Sequence, residues 1–234
     1  MSDPHASDDP EQLSAAKERA WRQAADIDAA YRSGALDEAG WHAAWLAIIE
    51  PAYLRGGNPR AESGHSGDPA RWELARRLLV DAIGSDGSFL DIGCANGHLM
   101  ETLTGWAAED GYAIEPYGLD ISPVLAALAR HRCPQWADRI WTGNAMGWRP
   151  PRRFDLVRTG LDYVPPDRRA DYLAHLLGTV VAPGGRLIIG VHNEERDRDT
   201  FEAEVHDYGH RIAGRASRPH RHPGVAYKVI WIDA

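Results

Sequence analysis

The sequence predicts a doubly wound α/β fold, in which helices cover both faces of a mostly parallel sheet. Three observations predict it. Short apolar segments alternate with segments of helical periodicity from residue 71 onward. Glycine-containing turns follow the first and precede the fifth of these apolar segments. Asp91, Asp120 and Asn144 stand where successive predicted strands end, which is the ligand-binding edge of such a sheet.

Five predicted strands alternate with helices before the pattern changes to two strands that pair with each other. The predicted strands cover residues 89–92, 117–119, 139–142, 154–158 and 186–191, followed by 211–217 and 225–232. The predicted helices cover 69–83, 98–108, 122–132, 166–181 and 200–207. Asp68-Pro69 and Ser122-Pro123, each a capping acceptor followed by proline, predict the starts of the first and third of them. Because parallel strands need crossover connections, this alternation predicts a sheet that is covered on both faces.

The first third of the chain has no strand pattern. Residues 1–9 are acidic and polar, which predicts a disordered tail. Apolar residues recur at helical spacing over 10–31 and 37–53, and a loop rich in Gly, Ser and Pro follows at 55–67. We therefore expect a tail at 1–9, an N-terminal helical extension at 10–70 that acts as a cap or lid, and the α/β domain at 71–234.

Composition excludes several classes of function. The net charge of −8 at pH 7 argues against indiscriminate nucleic-acid binding, which needs a basic surface. The only lysines are Lys17 and Lys228, so a Gly-Lys-Ser/Thr phosphate loop is excluded. The start of the chain has no apolar signal core, and no apolar run approaches the roughly 18 residues of a membrane span. We expect a cytoplasmic protein without a membrane partner.

The strongest motif is the turn Asp91-Ile-Gly93-Cys-Ala95-Asn96-Gly97 between the first strand and its helix. Glycines at both ends let the backbone turn tightly and approach a ligand. The carboxylate of Asp91 lies inside the strand end, where burial is costly without a cationic or amide partner. A ligand amino group or the amides of the turn would be such a partner.

Two further residues suit a nucleoside. Asp120 ends the second strand roughly twenty residues after the last glycine, where doubly wound folds place an acid that accepts from ribose hydroxyls. Asn144 follows the third strand, where a short amide would read the adenine edge. The sequence therefore predicts a nucleoside-containing ligand at this edge of the sheet.

These motifs resemble those of the class I S-adenosylmethionine (SAM) dependent methyltransferases. Asp91-x-Gly93-x-x-x-Gly97 is similar to their motif I, and 118–122 is similar to the acidic motif that follows. Residues 154–157 and 183–189 resemble the motifs of the fourth and fifth strands. The resemblance covers about residues 71–232 and implies a Rossmann-like, seven-stranded sheet whose last strand is antiparallel.

The resemblance also implies which residues bind SAM. They are Asp91, Gly93, Ala95, Asn96 and Gly97 around the methionine part, Asp120 at the ribose, Ile121 and Ala145 against the adenine, Asn144 at its edge, and Thr159 facing the methyl group. Many members have glycine where Ala95 stands here. The alternative is a dinucleotide such as NAD, but its fingerprint needs a glycine at this position to admit a pyrophosphate. The sequence favours SAM.

Candidate catalytic residues follow the fourth and fifth strands. Asp162 is the leading candidate for a base or acceptor-orienting group, with Tyr163 packing over the ligand and His192 as the next candidate. The alternative is that Asp162 caps a turn and Tyr163 belongs to the core. The polar loop residues Arg60, Ser63, His65 and Ser66 predict a lid over the site.

A metal site at Glu202, His206 and His210 would need one continuous helix, which Gly209 opposes, so no metal is expected. The sequence as a whole predicts a SAM-dependent methyltransferase that acts on oxygen or nitrogen of a small molecule. An RNA or protein methyltransferase is the first alternative, since residues 148–154 hold three arginines. A SAM-binding sensor or scaffold without turnover is the second.

Overall fold

A computed structural model of the chain describes residues 10–65, 67–195, 200–220 and 224–234. The predicted tail at 1–9 lies outside the described residues. The helices are α1 (Pro10–Arg32), α2 (Glu38–Leu54), α3 (Pro69–Arg76), α4 (His98–Glu109), α5 (Pro123–Arg132), α6 (Arg169–His175) and α7 (Thr200–Asp207). The strands are β1 (Gly87–Ile92), β2 (Ile114–Asp120), β3 (Ile140–Thr142), β4 (Phe154–Thr159), β5 (Val181–Glu195), β6 (Gly214–Pro219) and β7 (Val225–Asp233).

The strands form one sheet in the order β3-β2-β1-β4-β5-β7-β6. The pairs from β3 to β5 are parallel, and β7 runs antiparallel to both β5 and β6. The strand order reverses between β1 and β4, which is where open α/β sheets bind their ligands. The predicted seven-stranded, doubly wound fold with an antiparallel last strand is confirmed.

Local signals set several helix starts. Asp68 Oδ1 accepts from Arg71 N at 2.8 Å and Pro69 occupies the first turn, so α3 begins where the Asp-Pro pair predicts. Ser122 Oγ accepts from Leu125 N at 3.1 Å and caps α5 in the same way. The helix predicted to end near residue 84 instead ends at Arg76 and continues as a 3₁₀ turn, Arg77–Ala82.

Two apolar clusters cover opposite faces of the sheet. One packs Leu90, Leu119 and Val157 against α6 and α7, and the other packs Phe89 and Leu156 against α3 and α4. Parallel strands that are buried on both faces read as continuous apolar runs, as residues 187–191 of β5 do. Among the described residues, no helix is long and apolar enough to cross a membrane.

Candidate functional site

The glycine turn after β1 has an unusual backbone. Gly93, Ala95 and Gly97 have φ angles of 76°, 46° and 78°, so all three lie in the left-handed region. Ala95 is the only residue other than glycine with positive φ in the described part of the chain. An L-residue in this conformation costs about 1–2 kcal/mol. The turn therefore keeps the shape of the glycine-rich motif although Ala95 replaces a glycine.

Asp120 ties this turn to the end of β2. Its Oδ2 accepts from Ala95 N at 2.8 Å, and its Oδ1 accepts from Ser122 N at 2.8 Å. Burial raises the pKa of Asp120 to about 6, although the amides of Ser122 and Ala95 oppose the rise. Each carboxylate oxygen has a second lone pair, so Asp120 can still accept from a ligand hydroxyl.

Asp91 is fully buried and pairs with a cation from the chain itself. Arg158, its neighbour across the β1–β4 pair, donates Nη1 to Asp91 Oδ1 at 3.1 Å. Arg158 also donates to the carbonyl of Gly190. Burial raises the pKa of the Asp91 carboxyl, and the Arg158 charge opposes that rise. A ligand amine or the amides of the turn were the predicted partners, whereas Arg158 was not predicted; its position in a short, otherwise mainly apolar strand was the available signal.

The second oxygen of Asp91 has no hydrogen-bond partner within the described residues. The same is true of Arg71, whose Nε and Nη1 are buried without an acceptor. Arg71 lies beneath the loop that precedes α3, with its Cδ against Gly67 and His65 beside it. Unpaired buried donors and acceptors are costly, so both groups are suited to bind a ligand.

Tyr163 covers the glycine turn. A Cβ on Gly93 would lie 2.7 Å from Cε2 of the Tyr163 ring. The Arg158 guanidinium lies 5.6 Å from the centre of the same ring. Burial raises the pKa of the Tyr163 hydroxyl well above its ordinary value. Tyr163 therefore packs against the ligand-binding turn, whereas the neighbouring Asp162 is exposed to solvent.

The remaining catalytic and methyl-facing candidates occupy different surroundings. The His192 ring lies on β5 and contacts the Phe201 ring edge-on, with centres 5.0 Å apart. Thr159 is fully buried, and its hydroxyl bonds to Tyr172 Oη at 2.5 Å in the core. The Thr159 side chain is thus engaged inside the sheet layer, and its contact with a cofactor stays a prediction.

A surface pocket adjoins the predicted adenine edge. Its volume is about 490 Å³, and it is lined by Glu38, Asn144, Met146, Gly147, Trp148 and Arg168. Asn144 is exposed and accepts from Met146 N at 3.0 Å through its side-chain oxygen. Ala145, the next residue in the chain, is partly buried. Ile121, which directly follows β2, is also partly buried. Of the three predicted adenine residues, Asn144 therefore lines this open pocket.

The N-terminal segment 10–70, called the cap below, contacts the carboxyl edge of the sheet. Several polar contacts join them within the described residues. Asn96 donates Nδ2 to Pro59 O at 2.9 Å, Ser122 donates Oγ to Glu50, His42 Nε2 lies 3.2 Å from Tyr163 O, and Arg168 donates Nη1 to Glu38 at 2.7 Å. These contacts bring the cap to the ends of β1, β2 and β4. The Asn96 side chain, predicted to contact the cofactor, therefore bonds to the cap.

The predicted lid residues make contacts within their own loop. Arg60 donates Nε to Gly67 O at 3.3 Å, and Ser63 donates Oγ to Arg60 O at 2.8 Å. His65 is buried, with its ring centre 5.3 Å from the Trp72 ring. Ser66 lies outside the described residues. A short 3₁₀ turn at Ala61–Ser63 orders the loop, which the sequence had predicted to be without helix.

Two sequence alternatives lose support from geometry. Arg152 and Arg153 precede β4 and therefore lie at the opposite end of the strand from the glycine turn, where they donate to Tyr117 Oη and Gly178 O. Glu202 pairs with Arg215, and α7 ends before His210. In the described ranges, no group of three or more potential ligands is arranged to hold a metal ion.

Comparison with solved structures identifies the fold. NodS, an N-methyltransferase from Bradyrhizobium japonicum WM9, is 15% identical; the match covers 70% of this chain and 95% of NodS, with a TM-score of 0.52. The 1,6-didemethyltoxoflavin-N1-methyltransferase of Burkholderia thailandensis, solved with its substrate and S-adenosylhomocysteine (SAH), is 16% identical; the match covers 100% of this chain and 92% of that one, with a TM-score of 0.51. This chain has the methyltransferase fold.

The fold also carries other chemistry. The [4+2]-cyclase SpnF matches with a TM-score of 0.55 and 14% identity, over 81% of this chain and 93% of that one. No protein-family model and no curated protein sequence matches the chain. Activity must therefore be argued from the residues of the site.

Proposed function

We propose that the protein is a class I SAM-dependent methyltransferase, acting in the cytoplasm on oxygen or nitrogen of a small molecule. The observation that carries this proposal is the buried Asp120 carboxylate, bonded to the amide of Ala95 in the left-handed turn. This arrangement supports the proposal because a carboxylate that accepts from ribose hydroxyls would lie beside a backbone that a ligand can approach closely.

The residues of the site fit SAM at both ends. Asp120 binds the ribose hydroxyls, while Ile121, Asn144 and Ala145 enclose the adenine beside the pocket of about 490 Å³. At the methionine end, the unpaired Oδ2 of Asp91 accepts from the ammonium group. The two unpaired donors of Arg71 bind the carboxylate. A zwitterion would thus satisfy buried atoms of opposite charge, Asp91 Oδ2 and Arg71 Nε and Nη1, that have no hydrogen-bond partner in the described chain.

When bound, SAM supplies a methyl group on a positively charged sulfur for in-line transfer to the acceptor atom. The chain contributes positioning, which provides much of the acceleration in such a displacement. Tyr163 packs over the turn and fixes the space beside Gly93. Asp162 accepts the proton that the acceptor hydroxyl or amine releases. The cap contacts at Asn96, Ser122 and Tyr163 exclude water from the edge of the sheet.

Transfer of label from methyl-tritiated SAM tests this function. The protein is incubated with three separate acceptor pools: low-molecular-mass metabolites, total RNA and total protein. We expect label in the metabolite pool, and loss of most of that label in Asp162→Ala with SAM binding retained. Label confined to RNA or protein would contradict the small-molecule acceptor.

A SAM-binding protein without methyl transfer is the second candidate, because a solved neighbour of the same fold is named as a cyclase. Binding of SAM without label in any pool, together with unchanged behaviour of Asp162→Ala, would favour it. The Asp171→Ala variant is the control for loss of one surface carboxylate, since Asp171 is exposed and forms an ion pair with Arg168 at 3.2 Å.

The affinity for SAH depends on pH through Asp120. The folded-state pKa of Asp120 is raised to about 6, mainly by burial. Asp120 therefore stabilises the folded protein at pH values below the ordinary pKa of an aspartate, and this stabilisation is lost as the pH rises through 6. Ribose hydroxyls need the ionised carboxylate, so binding has the opposite dependence. We expect the affinity to fall about tenfold between pH 7.5 and pH 5, measured by calorimetric titration.

Asp120→Asn is the matched variant for this dependence. We expect it to weaken SAH by about 1.5–3 kcal/mol at pH 7.5, the usual range for hydrogen bonds to a charged group. The variant should also lose the decline of affinity below pH 6. An unchanged affinity, or a decline that persists in Asp120→Asn, would show that the ribose lies elsewhere.

A further inference from the structure

Arg76 is a cation that has no counter-ion among the described residues. It stands at the end of α3 and is partly buried, with its guanidinium carbon 5.3 Å from the centre of the Trp72 ring. Within the described residues, its guanidinium has no hydrogen bond and no ion pair. Burial and the nearby Arg158 charge lower the pKa of Arg76. An unpaired charge in such a place is costly until an anion binds it.

The groups around Arg76 come from four elements. They are Asp91 and Arg158 at the ends of β1 and β4, Tyr163 after β4, Tyr227 on β7, and Tyr53 on α2. Asp91 is already paired with Arg158, so it does not neutralise Arg76. The tyrosines offer hydroxyl groups, which donate to an anion but do not balance a charge. These surroundings suit an anion that is bound by the guanidinium of Arg76.

This site adjoins the place of methyl transfer. Tyr163, one of the groups around Arg76, lies against Gly93 of the ligand-binding turn. The single carboxylate of SAM is accounted for by the two unpaired donors of Arg71 beneath the cap loop. The sulfonium of SAM is itself positive and gains nothing from an arginine. The remaining partner for Arg76 is therefore the methyl acceptor.

Resting on the proposed function, we propose that the methyl acceptor is an anionic small molecule whose carboxylate or phosphate is bound by Arg76, with Tyr53 and Tyr163 donating hydrogen bonds. A planar guanidinium suits both anions because it donates two parallel N–H groups. The anion anchors the acceptor at a fixed distance from the glycine turn. Neutral analogues of the acceptor would lack this anchor.

Calorimetric titration of the SAH-saturated protein tests the inference with three probes of similar shape: benzoate, phenyl phosphate and neutral benzamide. We expect benzoate or phenyl phosphate to bind at least tenfold more tightly than benzamide, and the tighter of the two identifies the anion. Arg76→Gln should remove this preference, and Arg76→Lys should restore part of it. Arg77→Gln should retain it, because Arg77 points to the surface and pairs with Glu109 and Asp110.

The affinity for SAH separates failure of this inference from failure of the proposed function. We expect SAH to bind Arg76→Gln within about threefold of wild type, or about 0.65 kcal/mol. A tenfold loss would place Arg76 on the methyl donor and overturn the inference, as would an anion preference that is absent or that survives in Arg76→Gln. Failure of SAH to bind the wild-type protein would instead reject the proposed function.

Discussion

Gly93→Val abolishes SAH binding, with an expected loss of at least a hundredfold, or about 2.8 kcal/mol. Gly93 has a φ of 76°, a conformation that a β-branched residue resists. Its added Cβ would also lie 2.7 Å from the Tyr163 ring, which must move into the space of the ligand or push the turn away. Calorimetric titration of the purified variant measures the loss.

Gly105→Val is the matched control, because a Cβ at Gly105 meets nothing within 4 Å and the residue lies on α4 away from the turn. We expect this control to bind SAH as the wild type does. If Gly93→Val does not fold, Gly93→Ala provides the same test with a smaller side chain. Wild-type affinity in a folded Gly93 variant would reject the turn as the binding site.

Arg158→Met destabilises the protein by about 3–5 kcal/mol, because it leaves the charge of Asp91 buried without its partner. Asp91 and Arg158 are 0% and 6% exposed, so water does not screen the pair. The pKa of Asp91 should rise further in the variant, and the loss of stability should therefore grow as the pH rises. Urea-induced unfolding, followed by tryptophan fluorescence, measures the change.

Two controls isolate the buried pair. Asp91→Asn added to Arg158→Met removes the uncompensated charge, so the double variant should be more stable than Arg158→Met alone. Arg218→Met removes a comparable ion pair with Asp81, 3.2 Å apart, that is exposed. Arg218→Met should lower the free energy of unfolding by less than about 1 kcal/mol. If the stability losses of Asp91→Asn and Arg158→Met simply add in the double variant, the two side chains do not stabilise each other, which would contradict this interpretation.

Much of the fold followed from local signals in the sequence. The Asp68-Pro69 and Ser122-Pro123 pairs predict two helix starts correctly, since capping depends on neighbours in the chain. Strand limits were less predictable. β5 was predicted at 186–191 but extends over Val181–Glu195, because pairing with β7 as far as residue 195 continues it beyond its apolar run.

The candidate site was predictable in position but not in its contacts. Asp91 and Asp120 lie at the strand ends that the sequence indicates, since parallel strands share one carboxyl edge. The Asp91–Arg158 pair depends on the register of strands that are 67 residues apart, which no local pattern encodes. Asn96 was predicted at the cofactor, yet its amide bonds to the cap, which folds back from 37 residues away.

The central claim is that the glycine turn and Asp120 form a SAM site. Calorimetric titration of the purified wild-type protein with SAM, SAH and NAD tests it most directly. We expect SAM and SAH to bind at one site per chain, NAD to give no signal, and Asp120→Asn to bind both ligands more weakly. Binding of NAD, or silence toward SAM and SAH in folded protein, would contradict it.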